Sequence, residues 1–314
     1  MIIDAHCHIW ERDMIPMKYW RAVAAQIGRI VPGTIEQIMA TDLMQNNMDG
    51  PVDRLIGEMG DAGIDKAIIF GLDWGLYLGE AKIPVDEFNK YIADSAKEYS
   101  DKLIPFFTID PRRPKAPELF EKAITKWEMK GLKLHPTTGY LPDGEESYKL
   151  YKIADEYQIP IVTHIGYTMG LKGRTAKLEY FDAPTTDFPN LRLSFAHFNN
   201  GDIDELVSLM FMKPSTYCDI SAHGQIYMMN SPVDFYRQLR SIMNYAGVSS
   251  RVMFGSDWPI TNNAVPLARW VKTIQNLTDP KITTILQNLG YRKFKNKEVS
   301  QILGKNAEKF LKKV

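Results

Sequence analysis

The chain has 314 residues, with 38 lysines and arginines balanced by 38 aspartates and glutamates. A formal net charge of zero offers no field to draw nucleic acid or an anionic membrane surface, and no apolar run is long enough for a membrane span or an export signal. The two cysteines, Cys7 and Cys218, make no disulfide framework, so the expectation is a soluble cytoplasmic protein, long enough for one large barrel or two average domains.

The first ten residues, MIIDAHCHIW, read as a strand. Alternation puts Asp4, His6 and His8 on one face, and turns Ile3, Ala5, Cys7 and Ile9 toward an apolar layer. Two imidazoles two residues apart on a strand can share one metal ion, with a neighbouring carboxylate orienting them; a buried strand with two hydrogen-bonded histidines is the plainer alternative. Residues 9–50 show no strand signal but carry Trp10, Tyr19, Trp20, Arg12, Lys18 and Arg21. A connection of that length reads as a lid or binding loop, partly helical. Pro51 to Gly63 then reads as a helix, with Leu55, Ile56 and Met59 at helical spacing.

From there strands and helices alternate. Strands are expected at Ile64 to Asp73, Leu103 to Asp110, Gly131 to Pro136, Pro160 to Gly166, Leu191 to Phe198, Thr216 to His223 and Arg251 to Pro259. Helices are expected at Pro84 to Tyr99, Pro117 to Lys130, Gly144 to Tyr157, Lys172 to Asp182, Asp202 to Met212 and Pro232 to Tyr245, with more helix to Val314. Eight short apolar strands separated by helices predict a parallel sheet covered on both faces, and eight closes a (β/α)8 TIM barrel. No linker composition divides the chain, so a single domain over residues 1–314 is expected, with the 9–50 insertion lying over the active site.

The polar residues fall in a pattern. His6 and His8 end the first strand, His135 the fourth, His164 the fifth, His197 the sixth and His223 the seventh, while Asp257 ends the eighth. In such a barrel the C-terminal strand ends converge on one face, where active sites sit. His-x-His, a further histidine and an aspartate suit Zn²⁺, and also Mn²⁺ or Fe²⁺.

The motifs D-x-H-x-H (4–8), K-L-H-P (133–136), T-H (163–164), A-H (196–197), G-S-D-W-P (255–259) and the closing ILGKNAEKF (302–310) resemble the amidohydrolase superfamily. More narrowly, they resemble the amidohydrolase 2 group related to aminocarboxymuconate semialdehyde decarboxylase, over essentially the whole chain. The resemblance implies one divalent ion held by His6, His8, His164 and Asp257. It makes His197 the histidine that polarises or protonates substrate, with a second-metal ligand as the competing role. Lys133 sits where binuclear members such as dihydroorotases carry a carbamylated lysine; the alternative is a cation beside the substrate. His135 is then a substrate contact or a structural hydrogen-bonder, and His223 lines the pocket or caps a loop. Trp10 is a candidate pocket wall, Asp4 a support for the ligand histidines, and Cys7 a core residue. Asp257 doubles as the acid and base.

Three functions follow as expectations. The first is a metal-dependent hydrolase acting on a C–O or C–N bond of a small, cyclic or aromatic carboxylic acid derivative. The second is a metal-dependent non-oxidative decarboxylase, a lyase, on the same scaffold; the third is an inactive metal-binding paralogue. The expected partner is a small molecule, with neither nucleic acid nor membrane, and the resemblance adds a homodimer.

Overall fold

The computed structural model describes residues 1–312. Eight strands, β1 (Ile3–His8), β2 (Lys66–Phe70), β3 (Leu103–Thr108), β4 (Gly131–Leu134), β5 (Ile161–Thr163), β6 (Leu193–Phe195), β7 (Thr216–Asp219) and β8 (Val252–Met253), pair in parallel in chain order. The first and last strands meet through Ala5 N–H donating to Phe254 O (2.9 Å), Asp257 N–H to His6 O (2.8 Å) and His8 N–H to Trp258 O (2.7 Å). This is the (β/α)8 barrel that the alternation predicts, in one domain.

The outer helices are amphipathic for the usual reason. In Val85–Glu98, Phe88, Ile92 and Ala96 recur every four residues and are buried. Helix Val52–Ala62 buries Leu55 and Met59, and stops where Gly63 takes φ 69°, a left-handed conformation that disfavours side chains.

The core has two layers. Ile3, Ala5, Ile68, Phe70, Phe106, Val162, Tyr217 and Met253 fill the barrel, with Ala307 and Phe310 packed into the same cluster. Cys7 and Ile9 belong to the larger layer shared with the helices. Simple alternation therefore fails in β1, because Ile3 and Ala5 do not share the face of Cys7 and Ile9. The pairing of β1 with β2 shifts register between Asp4 and Cys7. That irregularity admits Ile3 and Ala5 to the barrel interior, where His6 and His8 also point; bulges that re-aim side chains are common beside active sites.

Three further expectations change. The strands are shorter than predicted, because His135, His164, His197 and Asp257 lie beyond the last ladder residues of their strands. The helix expected at Lys172 to Asp182 is replaced by two single turns, Gly173–Thr175 and Leu178–Phe181. Gly170 and Gly173 disfavour a helix there, and the Thr175 hydroxyl is tied to Pro136 O at 2.6 Å. His223 does not end β7; it opens the helix His223–Asn230 after a turn at Ala222, φ 49°.

The insertion after β1 is partly helical, with helices Met17–Ile27, Ile35–Met39 and Asp42–Met48. Its base is pinned by reciprocal hydrogen bonds between Trp10 and Gly50 (3.0 and 2.9 Å), and Tyr19, Trp20, Ile38 and Met44 bury it into the core.

Candidate metal centre

His6 and His8 stand on β1 with Phe70 edge-on to both, ring centroids 4.9 and 4.8 Å away. Asp257 reaches them from the turn after β8, at φ 55°. Its Oδ1 lies 3.4 Å from His6 Nε2 and 3.2 Å from His8 Nε2. His197 enters from the turn after β6, its ring 4.7 Å from that of His6. Donor atoms of His6, His197 and Asp257 all lie within 4.8 Å of one another. His164 adjoins them, with Nδ1 2.9 Å from His197 Nε2, and His135 stacks on His164 at 4.1 Å. Lys133 Nζ sits 3.2 Å from His6 Nε2 and over the Phe70 ring. All seven polar groups are buried at the C-terminal end of the barrel.

Three other sequence candidates lie elsewhere. Trp10 is fully buried behind His8, its indole N–H donating to Asn47 O at 2.8 Å. His223 is half-buried against Tyr227 and does not join the cluster. Asp4, expected in phase with the histidines, instead accepts the backbone N–H groups of His6 (3.1 Å) and Ser256 (3.0 Å). The register shift takes it off their face, so it ties β1 to the β8 turn and touches no imidazole.

Sequence reasoning missed Asp219 and Ser221. Asp219 Oδ2 lies 3.0 Å from His6 Nδ1, and its Oδ1 accepts the backbone N–H groups of His197 (3.3 Å) and Ser221 (3.0 Å). Ser221 Oγ lies 2.9 Å from His197 Nδ1. A signal was present: Tyr217, Asp219 and Ser221 share one strand phase, and Tyr217 packs inside the barrel.

The turn that carries His197 is strained. Residues 197–201 all have positive φ, and four of these five are not glycine. Such conformations cost of order 1–3 kcal/mol each and concentrate at functional sites. Gly166, at φ 96°, lets the turn approach, since a Cβ there would fall 1.8 Å from Asn200 Nδ2.

Burial dominates the electrostatics. It lowers His8 to about 4 and His197 to about 3, and holds His164 and His135 well below the ordinary imidazole value. His6 is the exception: burial and Lys133 pull it down, but the Asp219 and Asp257 carboxylates outweigh them and the net shift is upward. Burial opposes ionisation of Asp219 and Asp257, yet the surrounding imidazoles hold both below the usual carboxylate range. Burial brings Lys133 down to about 8.

A pH dependence follows. A histidine whose folded pKa is depressed contributes stability above its unfolded pKa of about 6.5, and that stability drains away as pH falls toward the folded value. Five depressed imidazoles, His223 among them, outweigh the raised His6 and the Asp4 carboxyl that burial pushes up to about 6. The urea midpoint of the metal-free protein should therefore fall steadily from about pH 6.5 to about pH 4. A flat profile over that window would contradict the neutral, buried assignment.

A divalent cation requires neutral imidazoles and an ionised carboxylate of its ligands, and it displaces any proton that the upward-shifted His6 still carries. His6, His197 and Asp257 can thus hold a metal ion, with His8 and His164 at hand.

Comparison with known proteins bears on the family. The amidohydrolase model Amidohydro_2 matches residues 3–313. Among solved structures, a 5-carboxyvanillate decarboxylase from Novosphingobium aromaticivorans, complexed with manganese and 4-hydroxy-3-methoxy-5-nitrobenzoic acid, aligns at TM-score 0.66 and 15% identity, covering 99% of this chain and 96% of that one. A probable 2-pyrone-4,6-dicarboxylic acid hydrolase from Acinetobacter baumannii, with citric acid bound, aligns at 0.61 and 14%, covering 99% and 98%. An amidohydrolase from Burkholderia multivorans with bound zinc aligns at 0.65 and 14%, covering 99% of both chains. At these identities the likeness is one of fold. No curated protein sequence matches significantly. The family match, which runs nearly from end to end, shows that this protein belongs to the amidohydrolase family.

Proposed function

We propose that the protein is a metal-dependent hydrolase acting on a C–O or C–N bond of a small, cyclic or aromatic carboxylic acid derivative. The observation that supports this most directly is the place of Asp257, an ionised carboxylate with Oδ1 within 3.4 Å of both His6 Nε2 and His8 Nε2. His6, His8, His164 and Asp257 would hold one divalent ion, zinc before manganese or iron(II). Such an ion, when bound, lowers the pKa of its water from 15.7 to about 7. Asp257 takes the proton released during attack and returns it to the leaving group.

Lys133 offers the charge for an anionic group on the substrate. Arg112 is engaged by Asp110, and Arg113 by Asp73 and Glu80. His135, with Trp74 edge-on at 5.1 Å and Tyr19 behind it, makes an aromatic wall suited to a flat ring. The insertion at 9–50 contributes Tyr19 to this wall and acts as the site's cover. The two free, buried cysteines are in keeping with a cytoplasmic protein.

His197 and His164 compete for one place among the ligands. The family resemblance favours His164, whereas the convergence of donor atoms favours His197. Metal content of His164→Ala and His197→Ala, measured on purified protein, decides between them. Loss of metal in the first alone supports the resemblance; loss in the second alone makes His197 the ligand.

Decarboxylation is the second reading, favoured by the fold shared with the 5-carboxyvanillate decarboxylase. The donors would then chelate an acid, and Asp257 would deliver a proton to the carbon that loses CO2. Turnover of a panel of lactones and phenolic acids in oxygen-18 water separates the two. Labelled acid without CO2 is the expected result; CO2 with no label in the product overturns the hydrolase.

A further inference from the structure

Both nitrogens of a site imidazole matter, because the outer one dictates what the inner one can do. Asp219 is fully buried, and four polar groups converge on it: the backbone N–H groups of His197 and Ser221, the Ser221 hydroxyl and His6 Nδ1. The first two can only donate. A carboxylate that accepts two backbone N–H groups and a hydroxyl is held in its charged form, so it accepts at Oδ2 as well as at Oδ1.

Two consequences run outward from it. At Oδ2, His6 Nδ1 must carry the hydrogen, which in the neutral ring leaves His6 Nε2 bare; that atom faces Asp257 and Lys133. At Oδ1, the Ser221 hydroxyl spends its only hydrogen on the carboxylate, so its oxygen can only accept from His197 Nδ1, 2.9 Å away. His197 Nε2 is then bare as well, and it faces His164.

We propose that Asp219 is a positioning residue that sets the tautomers of His6 and His197 together, directly for one and through Ser221 for the other. In their neutral forms both imidazoles thereby turn an unprotonated Nε2 inward. For His197 this means accepting a proton or binding a cation, and not donating a hydrogen bond to substrate. The tautomers stand on the hydrogen bonds alone; their use in holding a metal ion rests on the reading given above.

The test is long-range proton–nitrogen correlation NMR of the metal-free protein, labelled with nitrogen-15 histidine, at mildly alkaline pH. Wild type should show His6 and His197 as Nδ1–H tautomers. Asp219→Asn puts an amide donor opposite His6 and should move it to the Nε2–H form; Ser221→Ala should disturb His197 and leave His6 alone. An Nε2–H tautomer at either residue in the wild type overturns the proposal, as does a Ser221→Ala protein with His197 unchanged. Should Asp219→Asn fail to fold, the wild-type and Ser221→Ala spectra still decide. Zn²⁺ affinity, from chelator competition, should fall roughly 10- to 100-fold in Asp219→Asn. Wild type that binds no Zn²⁺ but shows the expected tautomers would overturn the metal reading and uphold the tautomer assignment.

Discussion

Asp257→Asn is expected to lower kcat/KM by about 10³-fold on whichever substrate the panel yields, a loss typical of removing a general base. Asparagine keeps the size of the side chain and one oxygen toward His6 and His8, so most of the metal should be retained. It is neutral and cannot take a proton from water. The backbone N–H of residue 257 still reaches His6 O, which keeps the barrel closed at this point. Activity and metal content measured on the same preparation separate the two roles. Full turnover with full metal would rule out proton transfer by Asp257.

Removing the ion is the second large effect. Chelation should abolish turnover, and added Zn²⁺ or Mn²⁺ should restore it. It should also lower Tm by about 5 °C, because a ligand present at 100 times its Kd contributes about 2.7 kcal/mol to stability. His6→Ala is the control. This variant should start with low turnover and low metal, and its Tm should not respond to the chelator. Wild type whose turnover and Tm both ignore the chelator would remove the basis for a metal-dependent reaction.

Much of this was legible in the residues. Apolar strands at regular spacing with amphipathic helices between them, such as Val85–Glu98, leave a parallel barrel as the way to bury both faces of the sheet. The collection of histidines just past strand ends was visible for the same reason: strand ends in this topology meet at one rim. What the chain could not disclose was decided by non-local contacts. The register shift in β1 depends on pairing with β2 some sixty residues away. It moved Asp4 from the imidazoles to the backbone of Ser256. Asp219 reads locally as one more polar residue on a short strand, and only the closed ring sets it beside His6.

The linear order of residues thus determined which elements form and which side chains reach the rim, since periodicity and strand ends are local properties. The tertiary structure alone decided which nitrogen of each imidazole is held and which faces inward, because hydrogen-bond partners more than twenty residues apart in the chain impose that choice.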